Sequence, residues 1–131
     1  MKLTIPYYFH KAGAGFPSPA TDYIEEDIDL NVHLIKNVPA TFVIRVQGRS
    51  MTDVGINDGD ILVVEKSLNP RNFSTVIANV HDELVVKTFV QERDKKFLTS
   101  GSKKFEDRIF INEEEDIFIW GVVTYVIHSV Y

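Results

Sequence analysis

Cysteine is absent from this 131-residue chain, which excludes disulfide bonds, thiolate zinc sites and cysteine nucleophiles. Long apolar runs are missing too, since no stretch approaches the roughly 20 apolar residues that a membrane-spanning helix needs. Concentrated positive charge is also lacking, because the net charge is −5 and the densest basic clusters are the pairs Lys95-Lys96 and Lys103-Lys104. These absences predict a cytoplasmic protein that neither enters a membrane nor binds DNA directly in a sequence-specific way.

The composition is that of one folded domain with an extension. The chain is 44% hydrophobic and 11% aromatic, which is enough to build a single core. Residues 1 to about 28 contain Gly13, Gly15, Pro17 and Pro19. Glycine loosens the backbone and proline removes a hydrogen-bond donor, so this part is predicted to be an extended N-terminal arm. Residues 29–131 are predicted to form the folded domain.

The folded domain has the pattern of a mainly β protein. A short helix is predicted over 29–36, with Asp29 near its start and Pro39 ending it. Branched and aromatic runs separated by turn residues predict a twisted, partly closed β domain. The predicted strands cover 41–47, 61–65, 75–80, 84–91, 96–99, 108–112 and 117–126, the last broken by Gly121.

Ser50 is the first candidate for chemistry. It lies in Gly48-Arg49-Ser50-Met51, where a β-patterned run ends and a turn region rich in glycine and aspartate begins. A sharp exit from a strand exposes the hydroxyl, and it leaves the backbone amides of Ser50 and Met51 as candidate donors to an oxyanion. The alternative is a serine that caps a turn before Asp53.

Lys87 is the second candidate. It interrupts the apolar strand that runs from Leu84 to Val90. Partial burial disfavours the charged ammonium, and a neutral lysine is a base that can activate a serine. The alternative is an ordinary strand lysine whose ammonium reaches water along its apolar stem.

Taken together, these segments resemble the LexA/UmuD (peptidase S24) family of self-cleaving serine proteins. The arm is similar to that of the UmuD-like members, and the likeness runs from about residue 14 to 126. It is carried by Gly15-Phe16-Pro17-Ser18-Pro19-Ala20, Gly48-Arg49-Ser50-Met51, Gly55-Ile56-Asn57-Asp58-Gly59-Asp60, Val85-Val86-Lys87 and Gly121-Val122-Val123.

The resemblance implies a fold, a reaction and partners. The fold would be of the LexA C-terminal-domain type, and the domain would be both catalytic and dimer-forming. Ser50 would be the nucleophile, Lys87 the general base, and Ala14-Gly15 the bond cut, with no cofactor or metal. RecA on single-stranded DNA would act as co-protease. The cleaved homodimer would then join a UmuC-like subunit as an error-prone translesion polymerase of the SOS response to DNA damage.

Two other functions fit the same residues. The chain could be a non-catalytic dimeric β module that acts as a polymerase accessory or regulator. It could also be an exported β protein trimmed by signal peptidase after Ala14. Remaining features are predicted to be ordinary: the four histidines lack ligand spacing, Asn57-Asp58-Gly59-Asp60 is a turn rather than a calcium loop, and Trp120 belongs either to the core or to a dimer surface.

Overall fold

The computed structural model describes residues 4–8, 24–101 and 107–131. Its contacts divide the chain into two compact units, Met1–Lys36 and Asn37–Tyr131. The division follows Lys36, whereas the sequence predicted a boundary near residue 28, because the short helix contacts the strand before it. Among the described residues, no helix is long and apolar enough to cross a membrane.

The first unit is a two-stranded sheet followed by a helix. Strand β1 (Thr4–Tyr8) pairs antiparallel with β2 (Ile24–Asp29), a pairing that the prediction of an extended arm did not include. Helix α1 (Leu30–Leu34) begins as predicted, since the Asp29 side chain accepts a hydrogen bond from the Asn31 amide at 3.0 Å. It ends sooner than predicted.

Pro39 does not end this helix, contrary to the prediction. The backbone is already extended at Ile35, and Pro39 lies within a separate 3-10 turn, Val38–Ala40. Proline is well suited to the first turn of such a helix, where its missing amide hydrogen costs nothing.

The second unit is one curled, antiparallel sheet of seven strands, which confirms the predicted mainly β fold. The strand order is β3-β4-β9-β5-β6-β7-β8. The strands are β3 (Thr41–Arg45), β4 (Ile61–Glu65), β5 (Thr75–Val80), β6 (Glu83–Glu92), β7 (Lys95–Thr99), β8 (Ile109–Phe110) and β9 (Ile117–Ile127).

Both faces of the sheet are covered at its centre. Side chains alternate along a strand, so Ile77 of β5 joins one core cluster while its neighbours Val76 and Ala78 join another. The cluster around Ile77 includes Met51, the residue after Ser50. Packing around β5 therefore holds the chain on either side of the candidate nucleophile.

Gly121 does not break the last strand, which corrects the prediction. Strand β9 continues through it, with register shifts opposite β5 and β4. A Cβ atom at Gly121 would lie 2.6 Å from Val64 Cγ1. The glycine is therefore required by close packing between β9 and β4.

Trp120 packs against the cluster around Ile77 but is only half-buried. Its ring lies 5.0 Å from that of Phe42, and the Lys66 ammonium lies 4.6 Å above it. Trp120 is thus part of the edge of the core, with a cation over its outer face.

Candidate active site

Ser50 lies in the loop that leaves β3. The chain turns at Gly48, whose φ of 110° falls in a region that side chains other than glycine rarely adopt. After this turn the Ser50 side chain is exposed, while Met51 beside it is only 2% exposed. The loop thus presents the hydroxyl to solvent while the next residue anchors it in the core.

The segment Asn57–Asp60 holds this loop in place. The Gly48 amide donates to Asp58 Oδ1 at 2.8 Å, and the Val46 amide donates to the Asp60 carbonyl at 2.8 Å. The Gly59 amide donates back to the Val46 carbonyl at 2.9 Å. The acidic segment is therefore a turn, as predicted, and it is hydrogen-bonded to the loop that carries the candidate nucleophile.

Asp60 is buried, and its carboxylate has two partners. Oδ2 accepts a hydrogen bond from the Asn57 amide at 2.8 Å, and Oδ1 accepts one from His128 Nδ1 at 2.6 Å. These contacts hold the pKa of Asp60 below its ordinary value, chiefly through the Asn57 amide and then through His128, against the opposing effect of burial. Sequence reasoning gave neither Asp60 nor His128 a role.

Replacing Asp60 with asparagine should destabilise the protein in a pH-dependent way. A carboxylate with a lowered pKa stabilises the fold above the pKa of the unfolded chain, about 4, and that stabilisation disappears as pH falls through the folded pKa. We therefore expect Asp60→Asn to unfold at lower denaturant concentration than the wild type near pH 7. The difference should shrink below about pH 4.

The control for this comparison is Asp94→Asn, because Asp94 is exposed in the turn between β6 and β7. Denaturant unfolding of the three proteins between about pH 3 and pH 7 gives the two differences in the free energy of unfolding. A difference for Asp60→Asn that stays constant over this range would contradict the assigned role of the carboxylate.

Lys87 lies at the middle of β6 and is half-buried. Its Nζ donates a hydrogen bond to Ser100 Oγ at 2.8 Å. Ser100 follows β7, and the last pair of the β6–β7 ladder is Thr88 with Thr99. One step further in this register places Ser100 opposite Lys87, a neighbour that sequence reasoning missed.

Ser50 and Lys87 line one cavity of about 470 Å³. Its wall combines the loop after β3 with the first half of β6, and Ile77 forms part of its apolar lining. Within the described residues no hydrogen bond joins Ser50 to Lys87, whose amine contacts Ser100. The fold therefore brings the two predicted side chains to the same cavity, although 37 positions separate them in the sequence.

The end of β7 is fixed against the same loop. The Gly101 amide donates to Met51 Sδ at 3.1 Å, and both residues are buried. Gly101 has a φ of 75°, and a Cβ atom there would lie 2.6 Å from Asp53 Cγ. The end of β7 thus contacts two residues that line the cavity, Met51 through Gly101 and Lys87 through Ser100.

Two backbone amides at the candidate nucleophile are available as hydrogen-bond donors. Among the hydrogen bonds of the described residues, none is donated by the amides of Ser50 and Met51, the two candidates for an oxyanion hole. The predicted cleavage bond, Ala14-Gly15, lies outside the residues that the structure describes. In the part that is described, no group of three or more His, Asp or Glu side chains is arranged to hold a metal ion.

Comparison with known proteins shows which protein family this chain resembles in sequence. A model of the Peptidase S24-like family matches residues 6–124. ImpA from Salmonella typhimurium is 42% identical over 123 residues, 94% of this chain and 83% of ImpA. MucA from the same organism is 38% identical over 122 residues, 93% of this chain and 83% of MucA.

SamA, also from Salmonella typhimurium, is 38% identical over 129 residues, which are 98% of this chain and 89% of SamA. ImpA, MucA and SamA are UmuD-like proteins, which agrees with the resemblance noted in the arm. The chain therefore belongs to the Peptidase S24-like family of LexA/UmuD-type self-cleaving serine peptidases, and it is a UmuD-like protein of the SOS response.

Proposed function

We propose that this chain cuts its own Ala14-Gly15 bond, with Ser50 as the nucleophile and Lys87 as the general base. The observation that carries the proposal is that Ser50 and Lys87 line one cavity, with the hydroxyl exposed and the lysine half-buried. A Ser-Lys pair is a known variant of serine acyl-transfer chemistry.

The first chemical step would form an acyl-enzyme. Neutral Lys87 Nζ accepts the proton of Ser50 Oγ while Oγ bonds to the Ala14 carbonyl carbon. The amides of Ser50 and Met51 would stabilise the oxyanion, since they donate no other hydrogen bond among the described residues. The bond to the Gly15 nitrogen then breaks, and Lys87 returns the proton to the leaving amine. Water hydrolyses the remaining ester by the same route in reverse.

The backbone of β6 supports the binding of an extended substrate. Strand β7 pairs with Thr88–Glu92 of β6, so in the described part of the chain residues 83–87 have a strand partner only on the β5 side. These residues also line the cavity. A peptide in extended form could add to this open edge, which would bring its carbonyl to Ser50. Small residues such as Ala14 and Gly15 would fit a narrow site between the backbone of β6 and the loop that carries Ser50.

The partners follow from the same proposal. RecA assembled on single-stranded DNA would stimulate the cleavage in the cytoplasm, and the fragment that begins at Gly15 would join a UmuC-like translesion polymerase. The last residues of β9 expose apolar side chains, with Val126 at 40% and Ile127 at 44%, which supports a homodimer. The net charge of −5 supports action through protein partners rather than direct, sequence-specific DNA binding.

Self-cleavage of the purified chain should accelerate with pH. Only the neutral form of the lysine amine can accept the proton of Ser50, so this mechanism predicts faster cleavage at alkaline pH than at neutral pH. Intact mass spectrometry of the incubated protein follows the loss of residues 1–14. A rate that is the same at all pH values would contradict a neutral lysine as the base.

A second candidate function is a non-catalytic binding module. It is favoured by one observation, the hydrogen bond from Lys87 to Ser100, because a purely structural lysine makes such a contact. The two functions differ in one result. A module that only binds partners remains intact at alkaline pH in the absence of any other protease.

A further inference from the structure

A second hydroxyl group lies beside the amine of Lys87. Lys87 Nζ donates to Ser100 Oγ at 2.8 Å, and both side chains are half-buried. A lysine side chain is a flexible chain of four carbons, so its amine can take many positions. A hydrogen bond that is partly shielded from water restricts that freedom more strongly than an exposed one.

The residues before and after Ser100 both make contacts that hold this part of the chain in place. The residue before it, Thr99, pairs with Thr88, the neighbour of Lys87 in β6. The residue after it, Gly101, donates to the sulfur of Met51, the neighbour of Ser50. The Ser100 hydroxyl is thus held relative to both members of the proposed dyad.

We infer that Ser100 is a positioning residue for Lys87. Its oxygen accepts one N–H of the amine, which orients the rest of the amine, including the lone pair of the neutral form, toward the cavity where Ser50 lies. A general base must have its lone pair within hydrogen-bond reach of the proton that it removes. This inference rests on the proposed self-cleavage, and it adds to it a residue that the sequence patterns did not indicate.

Ser100→Thr and Ser100→Val form the test pair, because threonine and valine have the same shape and differ only in the hydroxyl. We expect the threonine variant to cut within about threefold of the wild type, and the valine variant about tenfold more slowly, as for the loss of one hydrogen bond. The deficit should be present at alkaline pH as well as at neutral pH, because deprotonation does not restore the direction of the amine.

The controls use the full chain. Ser129→Ala changes an exposed serine and should leave the rate unchanged, and Ser50→Ala tests the proposed nucleophile. The melting temperatures of the threonine and valine variants are compared, so that only folded proteins enter the rate comparison.

Two results would overturn the inference, and they are distinguishable. Equal rates for Ser100→Thr and Ser100→Val, with Ser50→Ala inactive, would remove the role of Ser100 and leave the proposed function standing. Cleavage by Ser50→Ala together with none by Ser100→Val would overturn both, because Ser100 rather than Ser50 would then be the nucleophile.

Discussion

Ser50→Ala is expected to abolish conversion of the chain to the fragment that begins at Gly15, at every pH. Loss of a serine nucleophile removes the covalent route altogether, and in serine peptidases such losses exceed about 10⁴-fold. The Ser50 side chain is exposed and anchors nothing in the core, so the variant should fold normally. The measurement is the intact mass of purified protein after incubation at several pH values, together with its melting temperature.

The same experiment with Lys87 separates charge from basicity. Lys87→Arg keeps a cation that proteins cannot deprotonate, whereas Lys87→Met keeps the length of the side chain without the charge. Both variants should lose about 10²- to 10⁴-fold in rate, the usual contribution of a general base. The matched control is Lys95→Met, since Lys95 is an exposed lysine at the start of β7. Cleavage by Lys87→Arg at the wild-type rate would exclude Lys87 as the base.

Local sequence patterns were enough to place the strands of the seven-stranded sheet, although not β1 and β2. Strands β4 and β5 begin and end at the predicted residues, because each is a run of mostly branched or apolar side chains between turn residues. The turn between β5 and β6 was equally evident, and the structure places His81 and Asp82 there with positive φ angles of 50° and 68°. Aspartate is among the residues that tolerate this backbone conformation.

The contacts of the site depend on pairings that local patterns do not specify. Asp60 and His128 are 68 positions apart, and they meet because Ile61 of β4 pairs with Ile127 of β9, which places the residues next to this pair opposite each other. Ser100 faces Lys87 for a similar reason, since the β6–β7 register sets that pair. A one-residue slip in either ladder would turn these side chains to the other face of the sheet.

The role of Gly121 was also not predictable from the local sequence pattern. A glycine inside an apolar run is normally taken as a break or a bulge. Here the strand continues, although its register against β5 shifts at this residue, and Val64 occupies the space where a Cβ atom would lie. Space of this kind is set by the neighbouring strand, so it becomes visible only when the sheet is assembled.

Phe97→Ala is expected to lower the free energy of unfolding by about 3–5 kcal/mol, the usual cost of removing a buried phenylalanine side chain. Phe97 is only 1% exposed, its ring lies 5.7 Å from that of Phe110, and the Arg108 guanidinium lies 4.9 Å above it. Alanine would lose these contacts and leave a cavity in β7. Denaturant unfolding measures the change, with an unchanged slope against denaturant showing that only stability is altered.

Phe73→Ala is the matched control, because Phe73 is 59% exposed and its removal should cost less than about 1 kcal/mol. Equal losses for the two variants would contradict the placement of Phe97 in the core. The same two variants also test the proposed site, because Ser100 and Gly101 directly follow the last residue of β7. If β7 positions the amine of Lys87, folded Phe97→Ala should cleave itself more slowly than folded Phe73→Ala. The rate per folded molecule therefore tests whether packing within β7 reaches the proposed dyad through Ser100.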